Sequence, residues 1–138
     1  ALKPKFKSYI RQVVKNSKAL VKALIVEGFK IVSGGTDNHL MLIDLSPLGI
    51  SGKKAGEILE SVGIIVNKNA IPFDGRKPWD PSGIRVGTPA VTTQGMKESD
   101  MKKIAHLIAD ALIKRVPMAT IRKRVAALTC RFFLTPTP

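Results

Sequence analysis

Apolar residues recur at helical spacing from the start of the chain. Phe6, Ile10, Val13, Leu20, Val21 and Leu24 form a stripe along a helix of about 3.6 residues per turn. The spacing predicts one long helix over Pro4 to Glu27, with Pro4 suited to its first turn and Gly28 ending it. The pattern then shortens. Phe29 to Val32 reads as a strand, Ser33 to Asn38 as a turn rich in Gly and Asx residues, and His39 to Leu45 as a second strand, so the two form a hairpin. Leu40 and Leu42 fall on one face, and His39, Met41, Ile43 and Leu45 on the other. Both faces are mostly apolar, which predicts a central strand.

Ser46 to Gly49 is a connection. Ser51 to Val62 reads as a helix capped by Ser51, with Ala55, Ile58, Leu59 and Val62 inward and Gly63 terminating it. Ile64-Ile65-Val66 is the third predicted strand. A stretch crowded with Pro, Asp and Gly follows from Asn67, in which Phe73 and Trp79 are expected to pin a long loop to the body. A short strand around Arg85 comes next and ends at Gly87 and Pro89. Ile84 and Val86 flank Arg85, so its side chain alternates to the opposite face from theirs. Met96 to Lys114 contains a helix with Met101, Ile104, Ala105, Ile108 and Leu112 inward and His106 at the boundary. Pro117 breaks the run, and Ala119 to Phe132 is a last amphipathic helix carrying Ile121, Val125, Leu128 and Phe132 on one face. Thr135 to Pro138 is expected to fray. Few strands, one hairpin and several amphipathic helices predict an α+β fold: a small, mostly antiparallel sheet with helices packed on it.

The 138 residues suffice for one domain with a real core. No apolar run reaches membrane-spanning length, and the N-terminus lacks the apolar segment of a signal peptide. Cys130 is the single cysteine, which excludes an intrachain disulfide and fits a reducing, cytoplasmic setting. Its place in a helical pattern predicts a structural, half-buried thiol. The 23 Lys and Arg against 10 Asp and Glu give a net charge of +13. That excess raises one alternative, a basic nucleic-acid-binding α+β domain. Lys7, Arg11, Lys15, Lys18 and Lys22 form a basic ridge on the first helix. The bases, however, are spread over every segment, and aromatic residues make up only 5%, so stacking platforms are scarce. A solvated face, or one meeting an acidic surface elsewhere in a longer protein, accounts for the ridge. Asp37, His39 and Asp44 read as turn chemistry and satisfied polar groups, so no metal ligands are assigned. No nucleophile–base pair or phosphate loop stands out, and no catalytic residue is assigned.

The residue pattern supports a basic α+β domain with an arginine-bearing strand beside a long loop. An arginine in such a strand is paired or reaches for an anion. Specific motifs go further. NKNAIPFD at Asn67 to Asp74, SGIRVGTPAVTTQGM at Ser82 to Met96 and GGTDNHLMLIDL at Gly34 to Leu45 resemble the C-terminal domain of the serine hydroxymethyltransferase family. The resemblance runs from about Phe6 to about Phe132. It implies the small C-terminal domain of the aspartate-aminotransferase-like, fold type I pyridoxal-phosphate enzymes. Residues 1–138 would then be that domain of a longer enzyme, without its cofactor-binding large domain. The implied reaction interconverts serine and glycine and passes a one-carbon unit to tetrahydrofolate. By its motif, Arg85 is implied to bind the substrate carboxylate and Asn69 the folate pterin. The upstream motif rich in Thr, His and Lys that anchors pyridoxal phosphate in the family does not occur here, and Lys68 stands in the wrong context to replace its lysine. The resemblance further implies partnership with the rest of the same enzyme and a dimeric assembly, with no specific nucleic acid and no membrane.

Overall fold

In the computed structural model, residues 4–32, 40–88, 92 and 95–133 are described, the side chains of 131–133 excepted. The predicted turn Ser33 to Asn38, His39 and the C-terminal Thr135 to Pro138 lie outside them.

The chain begins with helix α1, Pro4–Val26, followed by strands β1, Lys30–Ile31, and β2, Leu40–Asp44. A 3-10 turn at Ser46–Leu48 leads to helix α2, Gly52–Ser61, then strands β3, Asn67–Asn69, and β4, Gly83–Gly87. Helices α3, Glu98–Leu112, and α4, Met118–Phe133, complete the order. The strands form a 4-stranded sheet in the order β1-β2-β4-β3, with every neighbouring pair antiparallel. The α+β class, the element order and the central place of β2 agree with the sequence reading.

The sheet has two unlike faces, and strand alternation sets them. Ile31, Met41, Ile43, Ile84 and Val86 are buried on one face and join Leu20, Leu24, Leu59, Met101, Ile108 and Ile121 from the helices in a continuous core. Removing each such Leu or Ile from water contributes about 1.5–3 kcal/mol. Arg85, Asn67 and Leu40 are exposed on the other face. Ser51 caps α2 as predicted, accepting from the Lys54 amide at 3.1 Å. At the start of α3 the Asp100 carboxylate accepts from the Lys97 amide at 2.9 Å, satisfying a donor outside the helical ladder.

Some local expectations fail. The third strand is Asn67–Asn69, not Ile64 to Val66. The Ile64 amide still donates to the Leu59 carbonyl at 2.8 Å in the turn that closes α2. The chain therefore reaches the free edge of β4 only at Asn67, while Ile64 and Val66 pack against the core from that crossing. Phe73 and Trp79 do not pin the loop: they are 105% and 65% exposed. Phe6 and Ile10, expected on the buried stripe of α1, are 48% and 43% exposed. Burial on α1 begins at Val13, where its contacts with α3 and the sheet take over. Cys130 is exposed rather than half-buried, because it sits two residues past Leu128 on the side of α4 away from the core. His106 lies at the boundary as predicted, with Nδ1 3.2 Å from the Glu27 carboxylate.

Candidate functional site

Asn67 pairs with Arg85, Lys68 with Ile84 and Asn69 with Gly83. That register places Asn69 and Arg85 on one sheet face at diagonal positions of neighbouring strands. On the other side of Arg85 stands Leu42. Arg85 is exposed and, among the described residues, has no carboxylate partner. Asn69 is half-buried, and its Nδ2 donates to the Ala70 carbonyl at 2.9 Å, leaving its Oδ1 acceptor open. The sheet thus offers a planar fork of donors and, beside it, an amide group. The two sequence-assigned residues share one open face.

Two backbones approach closely at this point. A Cβ on Gly83 would lie 2.8 Å from the Asn69 carbonyl oxygen and 3.0 Å from that of Ile43. A Cβ on Gly52 would fall 2.1 Å from the Gly83 carbonyl oxygen. The Gly52 amide donates to the Pro81 carbonyl at 2.6 Å, and the Leu45 amide to the Ser82 carbonyl at 2.9 Å. Glycine at both positions lets α2, β2 and β4 converge on the entry to the Arg85 strand.

Residues 70–82 link β3 to β4 around one carboxylate. Asp74 accepts from the amides of Ile71 at 3.3 Å, Arg76 at 2.9 Å and Ser82 at 2.8 Å, and from the Ser82 hydroxyl at 2.7 Å. The Ser82 hydroxyl and amide, then the Arg76 amide, hold its carboxyl far below the usual carboxylate range. Lys68 Nζ donates to the Trp79 carbonyl at 3.1 Å, and Lys77 lies over the Trp79 ring at 5.3 Å. Phe73 has a φ of 56°, a left-handed conformation that costs a non-glycine residue about 1–3 kcal/mol.

The exit from β4 is tied to α1 by buried polar groups. The Ser17 and Thr88 hydroxyls lie 2.8 Å apart, and the Thr88 hydroxyl donates to the Val13 carbonyl at 3.0 Å. Asn16 Nδ2 donates to the Thr92 hydroxyl at 2.8 Å and the Met96 carbonyl at 3.0 Å. Sequence reasoning passed over this network and the Asp74 knot. The first left a signal: Asn16 and Ser17 interrupt the apolar stripe between Val13 and Leu20.

Elsewhere, Asp44 accepts from the Ser46 hydroxyl and amide and pairs with Lys30 at 3.4 Å. Burial works against its charged form, but the Ser46 bonds and Lys30 outweigh it and its carboxyl lies below the ordinary value. Among the described residues no group of three or more His, Cys, Asp or Glu could hold a metal ion, and no helix is long and apolar enough to cross a membrane. The ridge bases Lys7, Arg11, Lys15, Lys18 and Lys22 are all exposed.

The family model for serine hydroxymethyltransferase matches residues 1–108. The chain belongs to the serine hydroxymethyltransferase family. It is 50% identical over 139 aligned positions to a serine hydroxymethyltransferase of Rippkaea orientalis, covering 99% of this chain and 33% of that protein. It is 57% identical over 112 positions to a serine hydroxymethyltransferase of Myxococcus xanthus, covering 81% of this chain and 27% of that protein. The chain therefore spans about a third or less of the curated relatives it matches. Membership is consistent with the C-terminal domain of the fold type I architecture.

Proposed function

We propose that this chain is the C-terminal small domain of a serine hydroxymethyltransferase and supplies the substrate-carboxylate and folate side of its site. The longer enzyme interconverts L-serine and glycine and transfers a one-carbon unit to tetrahydrofolate, as a cytoplasmic homodimer or higher oligomer. One observation carries the reading: an exposed guanidinium with no carboxylate partner among the described residues stands diagonal to the Asn69 amide on the open sheet face.

Arg85 binds the substrate carboxylate through two parallel N–H···O bonds. Fixing that carboxylate fixes the rotation of the substrate about its Cα, and so which Cα bond is aligned to break. Asn69 reads a pterin edge, because its amide both accepts and donates. The family implies pyridoxal phosphate, which, when bound, takes up the electrons released at Cα. The two lysines of the sheet do not fit its attachment. Of the lysines in the sheet, Lys30 pairs with Asp44 and Lys68 donates to Trp79. We assign the cofactor to the remainder of the longer enzyme, and the isolated chain is expected to be inactive.

The test is Arg85→Lys in a chimera in which residues 1–138 replace the matching 33% of the Rippkaea orientalis relative. The substitution keeps charge and loses the fork. Serine binding should weaken by about 1.5–3 kcal/mol, the size of a hydrogen bond to a charged group. Preference for serine over an amino alcohol of the same skeleton without the carboxylate should disappear. If the preference survives and only the melting temperature falls, Arg85 is a structural residue and the reading is wrong.

A further inference from the structure

β3 is the weakest part of the site. It is an edge strand of 3 residues whose single neighbour among the described strands is β4. Arg85 sits instead between two partners, Leu42 and Asn67, and the register holds it from both sides. Asn69 is the last residue of β3, so its position depends on what the chain does immediately afterwards. Residues 70–82 leave at Asn69 and return at Gly83, its register partner.

The Asp74 carboxylate closes that excursion. One oxygen accepts from the Arg76 amide and the Ser82 hydroxyl, the other from the Ile71 and Ser82 amides. Ile71 lies on the outgoing limb, two residues past Asn69. Ser82 lies on the returning limb, one residue before Gly83, and its carbonyl is itself held by the Leu45 amide. A carboxylate is purely an acceptor with room for about four donors, and here four converge. The knot thus ties the free end of the edge strand to a limb anchored on β2. Phe73, inside the knot, has a left-handed conformation with its ring in solvent.

We propose that Asp74 is a positioning residue for Asn69: by knotting the two limbs of the 70–82 loop it fixes the amide that meets the pterin, while Arg85 is held independently by the sheet. The proposal rests on the roles given to Asn69 and Arg85 above. It deepens them by separating the two ligands. Disturbing the knot moves the folate side of the site and spares the carboxylate side.

Asp74→Asn is nearly isosteric, but it turns one acceptor oxygen into an NH2 group: placed toward Arg76 and Ser82 it loses the Arg76 amide bond, since only the hydroxyl can turn to accept, and placed toward the Ile71 and Ser82 amides it loses both. Two measurements test the role. In the 138-residue chain, trypsin reports the loop directly at Arg76, whose side chain is 39% exposed, whereas the following Lys77–Pro78 bond resists the enzyme. Cleavage after Arg76 should accelerate about tenfold or more in Asp74→Asn, in line with the loss of a charge-assisted bond. Ser82→Ala, which removes only the hydroxyl donor, should fall between wild type and Asp74→Asn. In the Rippkaea orientalis chimera, KM for tetrahydrofolate should rise about tenfold and KM for serine should stay within about twofold. Should Asp74→Asn fail to fold, Ser82→Ala carries the same comparison at smaller amplitude.

Unchanged cleavage after Arg76 would overturn the knot. Faster cleavage with both KM values unchanged would reduce Asp74 to a loop fastener without a role in the site. An equal rise in both constants with a lower melting temperature would make it a general stability residue. A failure of the underlying reading is distinguishable: Arg85→Lys in the same chimera would then leave serine KM unchanged, whatever Asp74 does.

Discussion

Strand β4 is entered and left through two connections held by different physics. The entry, residues 70–82, is gathered near the surface around the charged, half-buried Asp74 acceptor and turns Phe73 and Trp79 outward. The exit, at Thr88, is gathered in the interior by neutral groups: Ser17, Asn16 and Thr92, 0%, 0% and 8% exposed. At the surface water can replace a lost partner, so a broken bond changes geometry more than stability. In the interior nothing replaces it, and the desolvation penalty falls on the fold. The entry is therefore expected to govern function and the exit stability.

The strongest test of that contrast is Asn16→Leu. It leaves the Met96 carbonyl without its buried donor and should destabilise the chain by about 3 kcal/mol in urea unfolding. A loss well under 1 kcal/mol would show that water reaches the network and that the two connections do not differ in kind. Next is Gly52→Ala, whose Cβ would lie 2.1 Å from the Gly83 carbonyl oxygen. Backbone must move, and about 2 kcal/mol of stability should be lost. Nuclear magnetic resonance shifts should concentrate at Pro81 to Arg85.

A third test uses pH. The folded carboxyl of Asp74 is depressed from the ordinary 3.8. Its contribution is therefore fully present above that unfolded value and is lost only as pH falls through the lower folded one. Fluorescence of Trp79, the single tryptophan, should stay unchanged from pH 7 to about pH 4 in the wild type. A transition above pH 4 would mean that the knot is looser than its hydrogen bonds suggest. The smallest effect is expected at Phe73. Because its side chain is fully exposed and its φ is 56°, Phe73→Gly relieves strain without removing packing. The strain relief is offset by the added freedom of the unfolded chain, so stability should change by less than about 1 kcal/mol, in the favourable direction. A marked loss would show the ring packing after all.

Periodicity alone determined the order of elements, the α+β class and the inward faces of α2 and α3, because 3.6- and 2-residue spacings are local properties of a chain that must bury its apolar side. Alternation also put Arg85 on the face opposite Ile84 and Val86, and the motif resemblance singled out Asn69, which the register sets beside it. The tertiary structure decided what depends on partners distant in sequence. Ile64 to Val66 has the more strand-like composition, yet the polar Asn67–Asn69 pairs with β4, since the free edge lies beyond the turn closing α2. Phe73 and Trp79 look like anchors to any hydrophobicity scale. A carboxylate took that task, because four backbone and hydroxyl donors of one loop converge on Asp74 only once the chain has folded back on itself.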